Sequence, residues 1–443
     1  MQTRLTFKYL LTTDGLLRDQ TLVIGDSGLI EALLPGTGHV DGFFAIPGMP
    51  NAHSHAFQRA LSGFGEARAG ADSFWSWREA MYGLANRATP EDMFVIAREA
   101  FLDMLRGGYT SVAEFHYVHH MPDGRHGPEM ARAIVTAAAA AGIHLLLLPV
   151  FYQTGGFNKP ATQAQRRFVH ASIEDYSHLL QELKDVRLGF APHSLRAVAP
   201  ETLVQLIDAM DRQYGSQRPI HIHVSEQQRE VEECRALYRA TPIDLLARTV
   251  LLSRRWNLVH ATHATETERR LIIKQDATVV LCPVTEAYLG DGLFAADEFK
   301  DAGGRIAIGS DSNCRIDAIE ELRWLEYGQR LRTQQRARLA DTAGLGASLW
   351  QRACNGGAAA LSEPVGAIAV GKRADLVVLD EQAAPWRGHS IDTLLDALII
   401  GGSRHDISAV YVGGERLVDH GVATGAQTSA REFGQVVARL VEQ

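Results

Sequence analysis

Cysteine is scarce in this chain. Its four residues (Cys234, Cys282, Cys314, Cys354) lie far apart in 443 positions, and no CxxC pair occurs. That excludes a disulfide scaffold and fits a reduced, cytoplasmic protein. Basic blocks are missing as well: 44 Lys and Arg stand against 52 Asp and Glu, a net charge of −8. Neither nucleic acid nor an anionic membrane is therefore an expected partner. The start, MQTRLTFKYLLTTDG, has no apolar stretch and no cleavage signature, so no signal peptide is expected. Long hydrophobic runs are confined to residues 133–151, AIVTAAAAAGIHLLLLPVF, which Gly142, His144 and Pro149 interrupt. That stretch reads as a helix end, a glycine stop and a buried parallel strand, not as a membrane span. No internal repeat or low-complexity linker occurs.

What is present is an ordinary globular composition, 46% hydrophobic and 22% charged, in a chain long enough for a large barrel plus a smaller domain. Eight short apolar runs alternate with helix-sized segments: FFAIPGM (43–49), TSVAEF (110–115), HLLLLPVF (144–151), RLGFAP (187–192), PIHIHV (219–224), NLVHAT (257–262), TVVLCPV (278–284) and RIAIGS (305–310). Thr89-Pro90-Glu91-Asp92 marks a capped helix start that Gly107 and Gly108 close, and residues 316–339 form a long amphipathic segment. The pattern implies an α/β fold, a (β/α)8 barrel. The ends alternate in short β pieces with turn signals, and neither can bury a core alone. Residues 1–46 and 365–443 are expected to meet in one small β-sandwich around a barrel of residues 47–364.

Catalytic groups of such barrels sit at the C-terminal ends of the strands. There the chain carries metal-binding residue types. Strand 1 is followed by His53-Ser54-His55. Strand 5 carries His221-Ile222-His223-Val224-Ser225-Glu226, strand 6 ends in His260-Ala261-Thr262-His263, and strand 8 in Gly309-Ser310-Asp311-Ser312. Two apart on extended backbone, His53 and His55 point the same way and can hold one ion. Catalytic zinc takes three or four N or O ligands and keeps a position open for water, and His223 and Asp311 can complete the set. An isolated HxH is a weak signal; four such elements at four strand ends are a strong one. A bridged two-metal site needs an anionic bridge, usually a modified lysine on strand 4. Strand 4 ends APHSLRA, with His193 and no lysine, so one metal is expected.

Glu226, three residues past His223, can reach beside a metal-bound water without being a ligand. Zinc lowers the pKa of such a water to about 7, and a neighbouring carboxylate can carry the proton to a leaving nitrogen. The plainer alternative is a first-turn carboxylate of the following helix, EQQREVEECRAL, favoured by the helix dipole. His260 directly follows the apolar run and is preferred over His263 for the barrel mouth. His263 is then a supporting or loop histidine. His221 shares a face with His223, deeper in the barrel.

Together PGMPNAHSH, HIHVSE, LVHATH, IGSDS and GKRADLVVLD resemble the amidohydrolase superfamily, in its single-metal deaminase branch, over essentially the whole chain. Within it, NAHSHAFQRAL, DSFWSWREAMY, AEFHYVHH, HSLRAV, HIHVSEQQ, TEAYLGDGLF and EELRWLEYGQRLR look closest to the formimidoylglutamate deiminases of bacterial histidine degradation. The resemblance implies hydrolysis of N-formimino-L-glutamate to N-formyl-L-glutamate and ammonia. It implies one zinc per subunit on His53, His55, His223 and Asp311, with Glu226 and His260 as the proton-handling pair and Asp311 accepting the water proton. It further implies a homodimer, and substrate contacts at Gln58, Arg78, Tyr117, His193 and Arg196.

The residues support that substrate independently. A dicarboxylate needs cationic forks inside a net acidic protein, and Arg196 just past strand 4 and Arg78 after strand 1 can each grip a carboxylate bidentately. Gln58, Tyr117 and His193 offer neutral hydrogen bonds. Trp75 and Trp77 beside Arg78 read as packing for that segment, or a lid. Two positions near the expected mouth depart from the family pattern: Tyr288, where related sequences carry Asn, and Asn313, where they carry His. The rival readings are a guanine-, cytosine- or adenosine-type deaminase of the same branch, and a non-catalytic scaffold with the same fold. The zinc base deaminases that pair H-x-E with P-C-x-x-C are excluded, because no PCxxC occurs.

Overall fold

A computed structural model describes residues 2–64 and 73–441. Eight strands form the barrel: strand 1 (Met49–Ser54), strand 2 (Tyr109–His116), strand 3 (His144–Phe151), strand 4 (Ala191–Pro192), strand 5 (Ile220–Val224), strand 6 (Trp256–His260), strand 7 (Thr278–Leu281) and strand 8 (Arg305–Ile308). Strands 1–4 and strands 5–8 pair in parallel as two four-stranded sheets. Two seams join them. Phe190 bridges Ile220 and Ser194 bridges His223 on one side, and Ser54 bridges Asp311 on the other.

The first barrel strand is not where the apolar pattern puts it. Gly42–Pro47, from the run FFAIPGM, pairs with Thr3–Thr12 and with Leu376–Leu379 in the sheet built from the chain ends. The barrel begins with the polar MPNAHS that follows, so His53 lies within strand 1 rather than after it. The other runs coincide with barrel strands, and helices follow them as the alternation requires.

Helix Pro90–Arg106 starts in a capping box, Thr89 with Asp92, and buries Met93, Ile96, Ala97, Ala100, Phe101, Met104 and Leu105 at helical spacing. Helix Glu129–Ala141 ends on Gly142 in the left-handed region (φ 81°), immediately before strand 3. Among the described residues no helix is long and apolar enough to cross a membrane.

The chain ends combine in one eight-stranded sheet with strands from residues 3–47 and 376–423, enclosing a separate apolar cluster of Phe7, Leu10, Leu22, Ile24, Leu376 and Val378 among others. The last helix, Ala426–Val441, lies back on barrel helix Pro90–Arg106, where Arg98 pairs with Glu432 and Arg439 with Asp92.

Candidate metal centre and active site

Four side chains converge at the mouth of the barrel. One ligand atom each from His53, His55, His223 and Asp311 lies within 4.8 Å of all the others, and all four residues are buried. Nε2 of His53 and of His55 are 3.2 Å apart, and Asp311 Oδ1 stands 3.5 and 3.3 Å from them.

The strand geometry fixes this arrangement. At the seam of strands 1 and 8, Asp311 N–H donates to His53 O (3.0 Å) and His55 N–H to Asp311 O (2.9 Å). Gly309 makes that approach feasible, since a Cβ there would lie 2.7 Å from His53 O. Beneath the ligands a buried polar chain stitches the same two strands. Asn51 Nδ2 donates to Ser310 Oγ (2.6 Å), Ser310 Oγ to Asn313 Oδ1 (2.6 Å), and Asn313 Nδ2 to Ser54 Oγ (3.1 Å). Asn313 is thus a fully buried brace and not a mouth residue.

The donor set suits a divalent ion such as zinc. Backbone carbonyls fix two ring tautomers: His55 Nδ1–H donates to Phe115 O (2.9 Å) and His223 Nδ1–H to His193 O (3.2 Å), which turns each Nε2 lone pair inward. Burial pushes all three imidazoles down, His53 to about 3, so they are neutral, as imidazole ligands must be. Burial alone would raise Asp311, but His53, then His260 and His55, hold it well below the usual carboxylate range. The set is three neutral imidazoles and one carboxylate, with His55 and His223 oriented by backbone carbonyls and His53 Nδ1 buried without a partner among the described residues.

His260 differs from these three. Its Nδ1–H points at Glu286 Oε1 (3.3 Å), a carboxylate also holding the Cys282 N–H (2.9 Å). Its Nε2 is buried without a hydrogen-bond partner among the described residues, 3.8 Å from both Glu226 Oε1 and Asp311 Oδ2. Burial would lower its pKa, yet Glu226, then Glu286 and Asp311, outweigh it and raise His260 to about 10. His260, Asp311 and Ser225, the residue before Glu226, all hold left-handed backbone (φ 69°, 44° and 52°). Such φ values are rare for non-glycine residues and gather at functional sites.

A small cavity of about 90 Å³ rests on the cluster and adjoins a larger chamber of about 560 Å³. Gln58, Arg78, Tyr117, His193 and Arg196, the five expected substrate contacts, all line the small cavity, and Arg78, His193 and Arg196 line the chamber too. Arg78 sits on helix Ser73–Arg87, its Nε donating to Tyr82 Oη (2.7 Å). Gln58 Nε2 donates to Tyr117 Oη (2.7 Å), leaving Gln58 Oε1 as a buried acceptor with no partner among the described residues. Trp77 is a buried wall of the small cavity. Trp75 lies outside the residues whose side chains are described.

His263 and His221 stand apart from the cluster. His263 lies beside the loop, its N–H bonded to Ser225 O. His221 pairs through Nε2 with Ala360 O (2.9 Å) of helix Leu345–Leu361, a structural tie. Two acidic residues were missed in the sequence. Glu286 orients His260, and its only local signal is its place in the first turn after Cys282-Pro283. Glu230 lies under Glu226, whose backbone N–H donates to Glu230 Oε2 (3.0 Å).

Comparison with known proteins follows the same lines. Residues 44–417 match the model of the amidohydrolase family. The formimidoylglutamate deiminase of Pseudomonas aeruginosa is 43% identical over 450 residues, covering 98% of each chain. A solved amidohydrolase from Brucella melitensis superposes with a TM-score of 0.92 at 38% identity, over 99% of this chain and 100% of that one. An adenosine deaminase from Xanthomonas campestris with bound zinc superposes at a TM-score of 0.81 and 23% identity, over 99% and 98%, a likeness of fold alone.

Proposed function

The chain belongs to the amidohydrolase family, and from that premise we propose that it hydrolyses N-formimino-L-glutamate to N-formyl-L-glutamate and ammonia, a step of histidine degradation. The proposal comprises a cytoplasmic homodimer with one zinc per subunit, and a catalytic unit of residues 47–364 flanked by the end domain of residues 1–46 and 365–443. The observation that carries it is the pairing of one four-ligand cluster with two arginines, Arg78 and Arg196, on the wall of the same cavity. Full-length identity of 43% to a formimidoylglutamate deiminase supports the same substrate.

The site's lining agrees with this reading. The small cavity that rests on the metal cluster is lined by both arginines, so a formimino group at the cluster leaves the carboxylates facing Arg78 and Arg196. A purine would leave both arginine forks facing no anion.

His53, His55, His223 and Asp311 are the residues to hold zinc, and the chemistry zinc supplies is acidification of water to a pKa of about 7. The remaining work falls to the chain. Asp311, ionised and 3.8 Å from His260 Nε2, takes the proton that water loses as its oxygen bonds to the formimino carbon. His260, charged and with a donor available at Nε2, hydrogen-bonds that oxygen and orients it toward the formimino carbon, whose C=N electron pair moves to nitrogen. Glu226 delivers a proton to the imino nitrogen; as the C–N bond breaks, the proton held by Asp311 passes to that nitrogen, which leaves as ammonia, and the hydroxyl proton returns to Glu226 as the carbonyl forms. Gln58 and Tyr117 orient the formimino end. Arg78, Arg196 and His193 hold the carboxylates.

The test is ammonia release from N-formimino-L-glutamate by zinc-loaded protein, with guanine, cytosine and adenosine alongside. Turnover of the first alone is expected. Turnover of a nucleobase would keep the metal chemistry and overturn the roles of Arg78 and Arg196. Glu226→Gln should abolish turnover with zinc retained; activity in that variant would remove Glu226 from the scheme.

A further inference from the structure

Arg196 is engaged before any substrate arrives. Its Nη2 donates to Glu226 Oε2 at 3.0 Å, so the carboxylate assigned to proton delivery and the guanidinium assigned to the substrate occupy each other. The neighbouring Nε of the same guanidinium is different. Arg196 Nε is buried with no hydrogen-bond partner among the described residues, and 4.0 Å away lies Glu230 Oε1, equally buried and equally unbonded. Glu230 is 1% exposed at its side chain. Its other oxygen accepts the Glu226 N–H, immediately after the left-handed Ser225.

Helix capping does not account for this. Glu230 is the third residue of helix Gln228–Tyr238 and reaches back to an N–H before the cap, as a capping glutamate would. A cap needs one oxygen and tolerates water, whereas this carboxylate is wholly buried and turns its second oxygen to a cation. Burying an ionisable carboxylate with one oxygen unbonded is costly unless a charge partner faces it.

We propose that Glu230 is a positioning residue that holds Arg196 at Nε, so that a substrate carboxylate can take the Nη1/Nη2 pair and release Glu226. A substrate carboxylate that takes the Nη pair competes with Glu226 for Nη2. When the substrate's carboxylate occupies Nη2, Glu226 loses that partner and has His260, 3.8 Å away, as the alternative cation. The guanidinium keeps its place because Glu230 engages Nε. Substrate binding thereby turns Glu226 toward the reacting nitrogen, and a molecule lacking that carboxylate leaves Glu226 tied to Arg196. The inference rests on the function proposed above, in which a carboxylate binds Arg196.

A double-mutant cycle tests it, read by calorimetric binding of N-formyl-L-glutamate to zinc-loaded protein. Glu230→Gln, which keeps the shape and an acceptor for the Glu226 N–H, should weaken binding about tenfold in the otherwise unaltered chain. In an Arg196→Gln background the same change should weaken binding less than about twofold, because its effect passes through Arg196. In steady-state kinetics the loss should fall mainly on KM, with zinc content and melting temperature unchanged, and Glu230→Asp should restore part of it. An equal loss in both backgrounds, or none in either, overturns the proposal. If Glu230→Gln loses zinc or stability, the cycle is read with Glu230→Asp, and additivity there overturns the proposal equally. Failure of the unaltered protein to release ammonia from N-formimino-L-glutamate is a separate outcome, which removes the functional reading itself.

Discussion

Gly309 offers the sharpest test of how the fold builds the metal centre. It stands where strand 8 meets strand 1, and an alanine Cβ there would lie 2.7 Å from His53 O, 2.8 Å from His53 Cβ and 3.0 Å from His53 N. These are backbone atoms and a Cβ, so no flexible side chain can swing aside. An ordinary heavy-atom contact is about 3.5 Å, so a gap of about 0.8 Å must open at this seam. The strain falls on Asp311 N–H to His53 O and His55 N–H to Asp311 O, the two bonds that join the strands there. Overpacking of this kind costs about 1–3 kcal/mol. The displacement is several times the roughly 0.2 Å tolerance of a metal–ligand distance, and it separates His53 and His55 from Asp311. Gly309→Ala should therefore weaken zinc about 10–100-fold, the loss typical of disturbed metal-site support. Chelator competition measures the affinity, and thermal unfolding with and without zinc measures the stability. Gly434→Ala is the control, because a Cβ at that helical position meets nothing within 4 Å. If Gly309→Ala binds zinc and melts as the unaltered protein does, close seam contact does not set the ligand geometry.

Glu286→Gln removes the charge that orients His260, and kcat should fall about 10–100-fold with zinc retained; unchanged kcat would take Glu286 out of the mechanism. The same pair sets a pH dependence in metal-free protein. His260 is raised above its unfolded value of about 6.5 to about 10, against burial, by Glu226, Glu286 and Asp311. A raised folded pKa means that its stabilising contribution is complete below about pH 6.5 and is lost as pH climbs through about 10. Metal-free protein should lose stability across that window, and Glu286→Gln should flatten the loss; a flat profile in the unaltered protein would contradict the charge assignment. Arg167, 1% exposed, donates to the carbonyls of Ala85, Ala88 and His120, two of them at the end of the helix that carries Arg78. Arg167→Met leaves those buried acceptors unpaired and should cost about 3–5 kcal/mol in denaturant unfolding and raise KM, with zinc content unaffected. Unaltered KM would mean that the helix holds Arg78 without this anchor.

Strand 1 marks where apolar pattern stops being a guide. FFAIPGM has the composition of a buried strand, and Gly42–Pro47 is one, but it belongs to the end sheet. The true first strand, MPNAHS, spends its inward positions on Asn51 and His53, so its apolar signature is weak for the same reason that it is functional. Strands 3, 5, 6 and 7 keep Leu, Ile and Val at buried positions and are legible. The clustered residues His53, His55, His223 and Asp311 were legible because HxH, HxHxxE and SDS are short-range signals at strand ends. The contacts that tune them are long-range: Glu286 reaches His260 from 26 residues away and Arg196 reaches Glu226 from 30. No local spacing encodes such pairs.

The two carboxylates after strand 5 show how narrow the margin is. Capping logic expects an acidic group in the first turn of the next helix, and EQQRE offers two. The helix begins at Gln228 with Gln227 as its cap, so the first-turn position falls to Glu230, and Glu226 stands just outside the helix. Ser225 decides this. At φ 52° it turns the chain sharply off strand 5, bringing the Glu226 carboxylate to 3.8 Å from His260 and the Glu226 N–H onto Glu230. A serine carries no sequence signal for left-handed backbone, as a glycine would. The conformation is held instead by a buried carboxylate five residues on, so the residue that resembles a helix cap is what fixes the Glu226 backbone beside His260.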